Sequence, residues 1–121
     1  MKPDLQKITQ RITALLSGYG MPAKNAAERA RNIVAACQYG IECKWTDIAE
    51  MLDNELYGRI DDELTRRQAA SEALCIYLMH TCETREELVF RIKRQVGYGN
   101  YHAVNWVDTH ATAESGVYRV N

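Results

Sequence analysis

The residues of this chain best able to do chemistry are four cysteines, Cys37, Cys43, Cys75 and Cys82, and three histidines, His80, His102 and His110. A thiolate is a nucleophile and a soft metal ligand, and imidazole is the common base beside it. Their spacing assembles neither function. The cysteines fall as C-x5-C and C-x6-C, whereas paired zinc ligands sit about two to four residues apart. His80 and Cys82 stand at i and i+2, which on a helix point to different sides. Cys43 has Lys44 beside it, a cation expected to lower its pKa modestly. Cys37, Cys75 and Cys82 lie on or beside apolar helical stripes and read as small buried hydrophobes. His102, Asp108 and His110 could share a metal only if the C-terminal segment folded back on itself. The chain is read as a binding protein rather than an enzyme, with no catalytic residue, metal or cofactor assigned.

Binding chemistry concentrates at the C-terminus. Residues 97–121 hold four of the ten aromatic residues, Tyr98, Tyr101, Trp106 and Tyr118, and two of the three histidines. Tyr, Trp and Arg are the residues that most often dominate interface energetics. Tyr98, Tyr101, His102, Asn105, Trp106, Tyr118 and Arg119 are therefore the candidate contacts for a protein partner. The same rings could stack on a small nucleotide, with Asn105 as hydrogen-bonding group and Arg119 as anion partner. Gly97-Tyr98-Gly99-Asn100 could present backbone amides to an anion, although the Lys and Ser/Thr of a phosphate-binding loop are missing.

The alternative partner is DNA. Trp45-Thr46-Asp47-Ile48-Ala49-Glu50-Met51-Leu52 has the look of the first helix of a helix–turn–helix, with the following helix as reader. Candidate contacts are Arg66, Arg67, Arg91, Lys93 and Arg94. Against it, the reader's N-terminus would carry Asp61, Asp62 and Glu63, three carboxylates facing a polyanion.

The elements that must position these residues are helices. Leu5, Ile8, Ile12, Leu15 and Leu16 form an apolar stripe after Pro3 and Asp4, ended by Gly18 and Gly20. A second helix is expected from Pro22 to Tyr39, with small apolar residues and a stop at Gly40. Thr46 is expected to cap a short third helix. Asp61 to Thr81 is expected to be the core helix. Thr84 caps a fifth helix, with Glu87 as the reciprocal partner of a capping box and Gly97 as its end. Residues 101–107 and 117–120 are rich in β-branched and aromatic residues and predict a hairpin across the helices. A sixth short helix capped by Asn100 is the other reading.

Size and composition agree with one globular domain. The chain has 121 residues, 46% hydrophobic and 26% charged, with net charge −1. That balance carries no global signature of nucleic-acid or membrane binding. No apolar run approaches the ~20 residues that span a bilayer, and no signal-peptide h-region opens the chain. A cytoplasmic location with reduced thiols is the expectation. Charge is nevertheless segregated: residues 41–64 carry eight acidic and two basic groups, and residues 65–96 carry six basic and four acidic.

The expected fold is mainly α: a compact bundle of about five helices over residues 1–96. Residues 97–121 follow as a β-hairpin or irregular aromatic tail docked on the same domain. The expected function is a non-catalytic regulator, adaptor or inhibitor. It would bind another protein through the aromatic tail and the acidic 41–64 stretch. The Ala-rich faces of the second and fourth helices leave a homodimer open.

Overall fold

A computed structural model describes residues 3–40, 42–54 and 59–111. Among them the chain is mainly helical, with six α-helices and no strand: α1 (Leu5–Gly18), α2 (Ala23–Tyr39), α3 (Trp45–Leu52), α4 (Glu63–Thr81), α5 (Arg85–Arg91) and α6 (Asn100–Trp106). The last two each run on into a π-helical turn, Ile92–Val96 and Val107–Ala111.

Local chemistry sets most boundaries. The Asp4 carboxylate accepts from the Lys7 amide and caps α1. Asp62 does the same for Thr65 at the start of α4. The Thr84 hydroxyl accepts from the Glu87 amide and caps α5, while the Glu87 carboxylate reaches Glu83 N–H, one residue beyond its expected target. The third helix departs from expectation. Lys44, not Thr46, is its N-cap, because the Asp47 carboxylate accepts from the Lys44 amide and so fixes a first turn that begins at Trp45.

The core is built around α4. Ala69, Ala70, Ala73, Leu74, Cys75, Ile76, Leu78 and Met79 are all buried. Helix α1 packs on both α2 and α4, presenting Ile8, Ile12 and Leu16; α3 packs on α4 and α2 with Ile48 and Leu52. The alanine faces of α2 (Ala26, Ala30) and α4 are buried within a single chain.

Residues 101–107 are helical rather than a strand, and the second arm of the expected hairpin, 117–120, lies outside the described residues. Ala103, Trp106, Val107 and Ala111 recur at helical spacing and insert into the core, and burying that stripe overrides the β preference of the individual residues. Gly97 makes the reversal before α6 possible. Its φ of +83° is left-handed, and the Trp45 indole lies 3.6 Å from where its Cβ would be. Gly97→Ala is expected to cost ~1 kcal/mol of stability, from the left-handed backbone rather than from the space, read by denaturant unfolding.

Candidate functional site: two clefts behind π-helical turns

The two π-helical turns arrange the side chains best suited to chemistry or binding. In the first, the Gly97 amide donates to Ile92 O at 3.1 Å, an i→i+5 bond that widens the helix. Ile92, Gln95 and Val96 are buried by it. Gln95 Nε2 then donates to the Cys43 carbonyl at 2.7 Å in a buried contact. Arg94 grips Glu42 with two guanidinium nitrogens, Nε to Oε1 and Nη2 to Oε2, the latter at 3.1 Å. These bonds pin the segment before α3 against the π-helical turn that follows α5. Gly40 permits the close exit from α2, since a Cβ there would meet the Ala36 carbonyl oxygen at 2.6 Å.

The outcome is a cleft of about 230 Å3 whose walls include Cys37, Cys43, Phe90, Arg91, Arg94 and Gln95. The Cys43 thiol donates weakly to the Lys44 carbonyl at 4.0 Å. A hydrogen bond shared with Cys37 holds the Cys43 thiol below its ordinary pKa, against the opposing effects of burial and the Asp47 carboxylate. The same bond, then burial, pushes Cys37 up. The lowering at Cys43 thus comes from Cys37 and not from neighbouring Lys44. Cys37 is half-buried at a cleft wall instead of sealed in the core, whereas Cys75 and Cys82 are buried as expected. Burial pushes the Cys75 thiol up, and pushes Cys82 up to about 12.

The second π-helical turn shapes a cleft of about 280 Å3 bounded by Arg11, Leu15, Glu72, Ile76, Met79, Trp106 and His110. His110 stacks on Trp106 with centroids 5.0 Å apart, and its Nδ1 lies 2.8 Å from the Thr109 hydroxyl. The Tyr19 hydroxyl donates to Glu72 at 2.8 Å. Burial, followed by that bond and the Glu72 charge, drives the Tyr19 phenol well above its ordinary range. Tyr98 stacks on His102 at 3.6 Å, and burial foremost pushes its phenol up to about 12.

The remaining candidates divide into used and spare. Trp106 is only 8% exposed and belongs to the core, while Tyr101 is 85% exposed and Asn105 is exposed. Tyr118 and Arg119 lie outside the described residues. All five candidate DNA contacts are engaged within the chain. Arg66 meets Asp53 at 3.6 Å and the carbonyls of Ile60 and Asp61. Arg67 lies over the Trp45 ring. Arg91 pairs with Glu87, Lys93 donates to Asn100 Oδ1 and Arg94 is held by Glu42. Residues 53–62 separate α3 from α4, against about three or four in a helix–turn–helix. His102, Asp108 and His110 are not gathered into one group, and Asp108 pairs with Arg85. No group of three metal-ligating side chains occurs among the described residues, and no helix there is long and apolar enough to cross a membrane.

The raised phenols carry a pH signature. A folded pKa above the unfolded ~10 means that the unfolded chain ionises first. The contribution of Tyr19 and Tyr98 is then intact below pH ~10 and is lost as pH climbs through the folded values. Alkaline titration by phenolate absorbance is expected to show these two tyrosines ionising late, with stability to denaturant falling over the same range. No known family, curated protein or solved structure matches this chain.

Proposed function

We propose that the chain acts without catalysis, by binding another protein through the exposed side of α5 and α6. The observation that carries this reading is that the fold sinks Trp106 into its core yet leaves Phe90 59% and Tyr101 85% exposed. Phe90 lies one turn before Lys93, and Lys93 is tied to Asn100 at the start of α6, next to Tyr101. Two rings beside a polar, partly neutralised surface match the composition of interface centres. Of the acidic stretch, Glu42, Asp47, Asp53, Asp61 and Asp62 answer groups of this chain. Among the described residues, Glu50 and Glu63 stay exposed as acidic charge for a basic partner.

The test begins with a pull-down from native lysate, with and without nuclease, read by mass spectrometry and by nucleic-acid staining. The double variant Phe90→Ala/Tyr101→Ala is expected to weaken the captured partner by ~2 kcal/mol or more, roughly 30-fold. Each exposed substitution is expected to change stability by no more than ~0.5 kcal/mol. Trp106→Ala, by contrast, is expected to cost ~3–5 kcal/mol of folding stability. Undiminished binding by the double variant would remove this face from the interface, and capture of nucleic acid alone would favour the DNA reading.

The cleft beside Trp106 favours one second reading, a small ligand. Its Glu72 carboxylate and apolar walls suit a planar group that donates hydrogen bonds better than a free phosphate. A purine or other heteroaromatic base is then expected to raise the melting temperature, and Glu72→Gln to abolish the rise. A flat response across such a panel would discard it.

A further inference from the structure

We propose that the cleft behind the first π-helical turn binds a small neutral amide, which gives its N–H to the Gln95 side chain and accepts from the Tyr77 hydroxyl. The cleft of about 230 Å3 meets a second one of about 130 Å3. Cys37, Arg91 and Gln95 line both, and Tyr77 lines the second. At ~30 Å3 for each water-sized group, the larger part alone holds on the order of eight. A small organic molecule therefore fits, whereas a folded segment of another protein does not.

Two polar atoms of these walls have no partner among the described residues. Gln95 is only 7% exposed. Its Nε2 donates to the Cys43 carbonyl, but its Oε1 accepts no hydrogen bond. Thr81 donates to the Tyr77 backbone carbonyl, while the Tyr77 hydroxyl makes no hydrogen bond. Neither atom is sealed in the core, so both can be reached from the cleft side. Buried polar groups are as a rule hydrogen-bonded, and these two ask for one donor and one acceptor. Burial foremost pushes the Tyr77 phenol up, which keeps its proton in place as the donor at neutral pH.

Charge narrows the ligand further. Arg91 is paired with Glu87 and Arg94 with Glu42. The walls thus carry as many carboxylates as guanidiniums, so an anion meets Glu42 and Glu87, and a cation meets Arg91 and Arg94. What suits such walls is a neutral group with a donor and an acceptor on one carbon, and an amide with an N–H supplies both. Phe90 stands at the wall of the larger part and offers its ring to an apolar substituent on the amide.

Benzamide is the probe, titrated into the isotope-labelled full chain and read by NMR. Saturable shifts are expected at the Gln95 side-chain amide and at the backbone amides of Cys43 and Arg91. Acetophenone keeps the shape and the carbonyl but lacks the N–H, and is expected to bind roughly tenfold more weakly. Benzoate and benzylammonium are each expected to lose roughly tenfold as well, from the wall charge of their own sign. Tyr77→Phe removes only the hydroxyl and is expected to weaken benzamide about fivefold. Glu72→Gln is expected to leave the binding unaltered, which separates this site from the cleft beside Trp106. No saturable shift with benzamide, an equal response to acetophenone or to either ion, shifts centred away from Gln95, loss of binding in Glu72→Gln, or undiminished binding by Tyr77→Phe would each overturn the proposal. The probe series on the unsubstituted chain decides the matter even where Tyr77→Phe fails to fold.

Discussion

Burial of α4 is the constraint on which the rest of the chain depends. Its first half offers Ala69, Ala70 and Ala73 to its neighbours, and its second half offers Leu74, Ile76, Leu78 and Met79. Small residues let a neighbouring helix axis approach closely, and bulky ones fill the wider space beyond them. Each large side chain so buried contributes ~1.5–3 kcal/mol relative to its exposed state. Helices α1, α3 and α5 all pack against α4. Its polar margin then fastens the elements that cover it. Glu72 receives the Tyr19 hydroxyl from the end of α1, and Arg66 holds the carbonyls of Ile60 and Asp61.

The two helices that complete the core, α5 and α6, each run on into a π-helical turn. Ile92, Gln95 and Val96 point inward from the first, and Val107 and Ala111 from the second. Widening the helix shifts the angular position of each following side chain, so polar residues come to face gaps between helices. Gln95 reaches Cys43 in this way, and His110 comes to lie on Trp106. Both clefts are therefore by-products of how α5 and α6 close the core, and their positions are as rigid as that closure.

The parts legible in the sequence were those governed by local rules. Asp4, Gly40, Thr84 and Gly97 mark helix ends because each satisfies or permits terminal backbone geometry on its own. Residues 101–107 have the composition of a strand and the period of a helix, and the period prevails. Tyr, Val and Trp favour strands as residue types, yet Ala103, Trp106, Val107 and Ala111 already trace one helical face. The π-helical turns have no comparable local signature, since they answer the shape of a core assembled from distant segments. The cleft lined by Cys37 and Cys43 was hidden for the same reason, since its walls depend on Gln95 and Arg94, about fifty residues further along the chain.

The segregation of charge along the chain has a long-range explanation within the fold. The basic 65–96 segment meets the acidic 41–64 segment through Arg66 with Asp53 and Arg94 with Glu42. Exposed pairs of this kind are worth only ~0–1 kcal/mol each, too little to drive folding. Their effect is on register, because a mispaired arrangement would set like charges together between α5 and the segment before α3. Once those charges are matched internally, they contribute little long-range field toward a partner. Under the proposed function, recognition falls to exposed rings, Phe90 and Tyr101 among them, more than to any charged stretch.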